Sequence, residues 1–211
     1  QALQSRDIIK KERGRIARDL HDTVSQELFA ASMILSGVSQ MIDQLTKEDL
    51  HNQIQAVEAM LTDAQNDMRV LLLHLRPTEL ENKTLQEGLQ MILKELTDKS
   101  NIRVIYKDMV KKVPKRIENN LFRIAQEFIS NTLKHAKASQ IEVYLYQNSQ
   151  EIQLKMLDNG VGYDLNASTD EMSYGLKNIQ ERVDEMAGTV QFLSAKGKGT
   201  SIDVRVPILR G

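Results

Sequence analysis

Residues 140–162 read QIEVYLYQNSQEIQLKMLDNGVG, and the fold of the second half of the chain turns on them. Ile141, Val143 and Leu145 alternate with polar or amphipathic neighbours, and Ile152, Leu154 and Met156 do the same. A period of two marks strands that bury one face. Asn148-Ser149-Gln150 between them supplies a hairpin turn. Asp158-Asn159-Gly160 ends the second strand with turn chemistry.

Working upstream, PKRIENNLFRIAQEFISNTLKHA (114–136) predicts a helix opened by Pro114, with Ile117, Leu121, Ile124, Phe128 and Leu133 near helical spacing. IRVIYKDM (102–109) alternates like a strand, and LQEGLQMILKEL (85–96) is a helix with Leu85, Leu89, Ile92 and Leu96 inside. Downstream, YGLKNIQERVDEMAG (174–188) is a helix stopped by Gly188, and TVQFLSAKGKGTSIDVRVP (189–207) is a hairpin around Lys196–Gly199. The expected domain is a mixed sheet with helices on one face.

The first half has a different period. Residues 5–45 lack proline and place Ile9, Ile16, Leu20, Val24, Leu28, Leu35, Val38, Ile42 and Leu45 in one stripe. Thr46 is a candidate N-cap with Asp49 three residues on. Leu50, Ile54, Val57, Leu61, Ala64, Met68, Leu71 and Leu75 then form a heptad seam, ended before Pro77. Two long helices joined by a turn make a hairpin, which buries only one side of each. The breadth of the first stripe, with Phe29, Met33 and Ile34, predicts a homodimer through a four-helix bundle. The expected class is α+β: a helical hairpin over 1–76, a linker PTELENKT over 77–84, and an α/β domain over 85–211.

Composition narrows the function. With 41% hydrophobic residues the 211-residue chain can build cores, and a net charge of −1 creates no field drawing it to nucleic acid. Scarce aromatics and no Trp argue against base stacking, and the absence of Cys removes thiolate metal sites. No apolar run reaches the roughly 20 residues of a membrane helix. The chain opens at Gln1 inside charged helical sequence, so we expect a cytoplasmic piece of a longer cell-membrane protein, attached only through segments outside this sequence. The basic cluster KKERGRIAR (10–18) suits a juxtamembrane position or an ordinary solvated helix face.

Three short signals share the second domain: QEFISNTLKHA, with Glu127, Asn131 and Lys134 at steps of four and three; DNGVG (158–162); and YGLKNI (174–179), followed by GKGT at the last hairpin. In this order they resemble the nucleotide boxes of the ATP-binding fold shared by sensor histidine kinases, Hsp90 chaperones, type II topoisomerases and mismatch-repair ATPases. The resemblance implies ATP and Mg²⁺. Asn131 would ligate the metal, with Glu127 contributing through water, and Lys134 and His135 would approach phosphate oxygens. Asp158 would accept from the adenine amino group. Gly160 and Gly162 would let the backbone approach the base. Residues 159–174 would form a lid, and Gly175 and Leu176 would bring a helix N-terminus to the phosphates. Thr200 would support the adenine end.

ERGRIARDLHDTVSQ (12–26) resembles the phosphoacceptor box of the histidine kinase subgroup containing the nitrate sensors and DesK-type thermosensors, and looks closest to the LiaS/VraS cell-envelope-stress branch. His21 would then be the phosphoacceptor. A neutral imidazole is a nitrogen nucleophile near neutral pH. Attack by one ring nitrogen requires the other to shed a proton, which adjacent Asp22 can orient and accept. At about 100° per residue His21 sits beside the Leu20–Val24–Leu28 stripe and should face solvent. In this subgroup the glutamine at the place of Gln26 aligns the water that dephosphorylates a partner response regulator. The implied activity is a protein histidine kinase that passes phosphate from His21 to an aspartate of a receiver domain. Two other readings stay open: an ATPase of the gyrase or chaperone type that transfers to water, and an inactive dimerisation module. Asp19, Arg18 and Arg15 have no derived role, and no His or carboxylate pair has zinc spacing.

Overall fold

The computed structural model describes residues 2–75, 80, 83–100, 102–163 and 170–208; within these, the side chains of 2–20, 71–75, 99 and 170–174 are not described. The chain divides into two compact units, 1–76 and 77–211.

In the first unit α1 (Ala2–Met41) and α2 (Lys47–Leu75) form the helical hairpin. The turn is fixed as its sequence predicts: Asp49 accepts from the Thr46 amide at 3.2 Å and hydroxyl at 2.6 Å, while the Asp49 amide donates to Thr46 Oγ1 at 3.1 Å. These bonds hold the exposed Asp49 carboxyl below its ordinary range. The buried seam is narrower than the apolar stripes. Val24 and Ala31 on α1 meet a side that buries Val57, Ala64 and Val70 on α2. Ile54, Leu61 and Met68 stay exposed, as do Leu28, Phe29, Met33, Leu35 and Ile42. A single hairpin has too few neighbours to cover both sides of each helix.

The second unit is a five-stranded sheet in the order β1-β2-β3-β5-β4, with β1 (Arg103–Met109), β2 (Gln140–Gln147), β3 (Glu151–Asp158), β4 (Thr189–Ser194) and β5 (Thr200–Pro207). β1 and β2 run parallel, joined through a helix, and the other neighbours are antiparallel, so the sheet is mixed. Ile141, Val143 and Leu145, Ile152, Leu154 and Met156, and Ile202, Val204 and Val206 are all buried, every second residue of the three central strands. Helices α3 (Leu85–Lys99), α4 (Lys115–Asn131) and α5 (Asp170–Glu185) pack on β1, β3 and β4 respectively. The inserted position of β5 matters for the site: its register sets Thr200 opposite Asp158.

Within the stretch expected to be a linker, Leu80 belongs to the second unit. Its side chain is only 3% exposed and fills a socket where a Cβ on Gly88 would stand 2.3 Å from Leu80 Cδ2 and 3.0 Å from Phe122. Asn119 Oδ1 accepts from the Leu80 amide at 3.3 Å. Lys115 Nζ donates to the carbonyls of Leu80 at 3.2 Å and Lys83 at 2.7 Å. Buried Glu118 accepts from the Leu85 amide at 2.9 Å, and Thr84 caps α3 in a reciprocal box with Glu87. Apolar burial and four polar contacts thus latch this segment to the first turns of α4. Leu80→Ala should lower the stability of the second unit by about 3 kcal/mol, read as a fall in its urea midpoint in the intact chain.

Candidate functional site

Helix α4 does not end where its α-helical hydrogen bonding does. Residues Thr132–Ala136 continue as a π turn, a wider coil frequently found at functional sites. Lys137 then reverses in the left-handed region at φ 47°. The wide turn directs the Ala136 carbonyl at the loop after β3, where it accepts from the Val161 amide at 2.7 Å.

Beside this turn lies a cavity of about 90 Å³. Of the residues singled out in the sequence, Asn131, His135, Asp158, Gly162, Leu176 and Thr200 line it. Glu127, Lys134, Gly160 and Gly175 do not. The remaining walls come from core positions such as Phe128, Ile179 and Ile202, and from Thr132 and Tyr163. The helical pattern had marked Phe128 as core, but nothing in it separates a core residue that also borders a cavity, and Ile179 and Ile202 were not singled out. Tyr163 directly follows DNGVG and Thr132 directly follows Asn131; adjacency to a motif was the available signal.

Asp158 is the buried acid of the cavity, 8% exposed. Oδ1 accepts from the Gly160 amide at 2.8 Å, Oδ2 faces the Thr132 hydroxyl at 3.3 Å, and the Thr200 amide also donates to the carboxylate. Burial nonetheless wins and pushes the Asp158 carboxyl up, with those three bonds working in the opposite direction. The same burial raises the Tyr163 phenol, helped by the nearby Asp158 charge.

The loop glycines have a structural part that the sequence expectation did not include. A Cβ on Gly160 would fall 2.2 Å from the Ala136 carbonyl oxygen, and one on Gly162, at φ +60°, would fall 2.1 Å from the Ala195 carbonyl oxygen. Both make room for protein backbone, tying the loop to the π turn and to the last hairpin. Ser194 completes that tie, its hydroxyl accepting from the Tyr163 amide at 3.0 Å and donating to the Gly199 carbonyl at 3.1 Å. Gly175 also departs from expectation. Helix α5 starts at Asp170, so Gly175 lies in its interior and presents no first-turn amide. DEMSY contains no helix breaker, and Asp170 and Glu171 suit a helix N-terminus. Gly175 instead admits two side chains from α4: a Cβ there would sit 2.7 Å from Glu127 Oε1 and 3.1 Å from Asn131 Nδ2. Of the lid expected over 159–174, residues 159–163 form the cavity loop, 170–174 are helical, and 164–169 lie outside the described residues.

On the other unit, His21 is 75% exposed on α1, and its Nδ1 stands 3.6 Å from Asp22 Oδ1. That distance permits electrostatic attraction but exceeds a hydrogen bond. Gln26 is exposed one turn after Asp22.

Two family models match the chain: "Histidine kinase" over residues 12–80, and "Histidine kinase-, DNA gyrase B-, and HSP90-like ATPase" over 116–210. The chain belongs to the sensor histidine kinases. It is 43% identical over 208 residues to the sensor histidine kinase LiaS of Bacillus subtilis, covering 99% of this chain and 57% of LiaS. It is also 43% identical over 206 residues to the sensor protein VraS of Staphylococcus saprophyticus, covering 98% of this chain and 58% of VraS. The chain thus spans little more than half the length of these sensor kinases. In fold it is similar to the blue-light activated histidine kinase of Erythrobacter litoralis (TM-score 0.51, 13% identity, 87% of this chain and 63% of that one). The ATP-binding domain of PrrB from Mycobacterium tuberculosis is equally similar (TM-score 0.51, 14% identity, 61% of this chain and 96% of that one). Among the described residues no helix is long and apolar enough to cross a membrane.

Proposed function

We propose that this chain is the kinase core of a two-component sensor, which transfers the γ-phosphoryl group of ATP to His21 and then to an aspartate of a response-regulator receiver domain. The observation that carries the proposal is the exposed His21 with Asp22 beside it, on a hairpin joined in one chain to an ATPase-family domain whose cavity contains a buried acid.

The chemistry each residue supplies follows from its type. Asp158 accepts from the exocyclic amino group of adenine; guanine presents an acceptor oxygen there and is refused. Asn131 and Glu127, an amide and a carboxylate converging on Gly175, are hard oxygen donors that suit Mg²⁺, which neutralises phosphate charge when bound. Among the described residues no group of three or more His, Cys, Asp or Glu gathers, so the chain would supply few ligands and leave the rest to phosphate and water. Lys134 and His135, in the π turn that follows Asn131, would approach phosphate oxygens. At the acceptor, Nε2 of His21 attacks phosphorus as the bond to the β,γ-bridging oxygen breaks and ADP leaves. The proton on Nδ1 passes to Asp22, whose carboxylate first holds the ring in the productive tautomer. Phosphoryl transfer of this kind depends on in-line placement and charge neutralisation more than on covalent side-chain chemistry. Gln26 would align water against the phosphorylated regulator, giving phosphatase activity.

With Mg²⁺ and γ-labelled ATP, the wild-type chain is expected to acquire an acid-labile, base-stable label. His21→Ala should remain unlabelled and Asn131→Ala should label about 100-fold less, whereas a simple ATPase would release inorganic phosphate unchanged in His21→Ala.

The homodimer is part of the same proposal. Ile54, Leu61 and Met68 recur every seven residues along the exposed side of α2, and Phe29 on α1 is 69% exposed. Large exposed apolar side chains on both helices of one hairpin favour burial against a second copy. The 24.0 kDa chain should sediment as a dimer, and Leu61→Arg should sediment as a monomer.

A further inference from the structure

Thr132 is buried at the first position of the π turn. Its hydroxyl carries one hydrogen and faces two acceptors, the Phe128 carbonyl at 3.1 Å and Asp158 Oδ2 at 3.3 Å. Bonding back to the carbonyl four residues earlier is ordinary for a helical threonine. The second acceptor is a carboxylate on another element, in the wall of the same cavity. An ionised acceptor makes a bond about twice as strong as a neutral one, so the carboxylate takes the hydrogen when Asp158 is charged.

The geometry points to Thr132 as a positioning residue of the purine subsite: its hydroxyl fixes the plane of the Asp158 carboxylate, leaving a lone pair turned to the cavity for the exocyclic amino group of adenine. The inference rests on reading this cavity as the ATP site. The torsion that rotates an aspartate carboxyl is broad and weakly restrained. The Gly160 amide pins Oδ1 and the Thr200 amide donates to the carboxylate from β5, and a donor on Oδ2 from a third element narrows the freedom that remains. Thr132 provides it from the end of α4, so the helix carrying Asn131 also sets the acid that would select the base. Charge works in the same direction. Burial drives Asp158 towards its neutral form, and the Thr132 bond counters this together with the Gly160 and Thr200 amides. His135 from the π turn and Tyr163 from the loop are the other titratable side chains of the lining; α5 adds Leu176 and Ile179, and β5 adds Thr200 and Ile202.

The test compares Thr132→Val, which keeps the shape and removes the hydrogen, with Thr132→Ser, which keeps the hydrogen. Binding of MgATP and of purine riboside triphosphate, which lacks the amino group, is measured calorimetrically on the intact chain across pH. Thr132→Val should bind MgATP about 10-fold more weakly while its affinity for the analogue is unchanged, so that the preference for ATP shrinks. Its loss of MgATP affinity on acidification should begin at higher pH, and Thr132→Ser should restore both properties. Should the valine variant fail to fold, Thr132→Ala against Thr132→Ser gives the same contrast. Equal weakening towards both nucleotides, or an unchanged preference for ATP in a chain that binds it, overturns the role of Thr132 alone. A wild-type chain that binds neither nucleotide overturns the ATP-site reading and this inference with it.

Discussion

An Asp158→Asn chain binds MgATP on the order of 100-fold more weakly than wild type, yet melts no earlier at neutral pH. The two halves of this expectation have one cause. Asp158 is a carboxylate held in a mostly apolar cavity wall, and burial raises its pKa above the unfolded value. Protonation therefore favours the fold: the contribution is complete below the unfolded pKa and is lost as pH rises through the folded one. At neutral pH the charged form costs stability. Asparagine removes that charge, and its carbonyl oxygen can still accept from the Gly160 amide, so the apo chain gains stability and loses part of its pH dependence. What the amide cannot do is accept a purine amino group on both oxygens' sites; turned towards the cavity, its own NH₂ opposes that of adenine. Thermal melts at several pH values beside calorimetric titration with MgATP check both halves. A variant that binds ATP as tightly as wild type would remove Asp158 from the site.

Asn131→Ala should reduce His21 phosphorylation by about 100-fold or more, through loss of a hard oxygen donor at the phosphate end. The amide of Asn131 and the carboxylate of Glu127 both crowd the place where a side chain on Gly175 would stand. That crossing of α4 and α5 holds the two oxygen donors together. The variant should bind adenosine, which has no phosphates, as wild type does, because Asp158 and its three donors are untouched. Raising Mg²⁺ should recover part of the lost rate. Equal loss of adenosine binding would show instead that Asn131 supports the cavity as a whole.

Much of the architecture could be read from the residues because each element repeats one simple pattern. The alternation in 141–156 gave two strands, the turn residues Lys196–Gly199 gave the last hairpin, and the Thr46–Asp49 spacing gave the turn between the long helices. Where the reading departed from the structure, contacts distant in sequence decided the outcome. Of the heptad seam, Val57 and Ala64 are buried while Ile54, Leu61 and Met68 are exposed, since a single hairpin gives each helix one neighbour. Leu80 stands among polar residues that resemble a linker, and only the socket formed by Gly88 and Phe122 shows why a leucine is there. Gly160, Gly162 and Gly175 were legible as places of close approach, but the partner in each case is carbonyl or side chain of the protein itself. The π turn has no sequence signature that helical periodicity detects, and this turn sets Thr132 against Asp158 at the end of β3 and the Ala136 carbonyl against the loop that follows.

Phosphoryl transfer to one imidazole is the central step of the proposed function. Incubating the wild-type chain with MgATP and mapping the phosphorylated peptide under alkaline conditions tests this most directly. A single phosphoryl group on His21, lost on brief acid treatment, is the predicted result; phosphate on any other residue with His21 unmodified would contradict it.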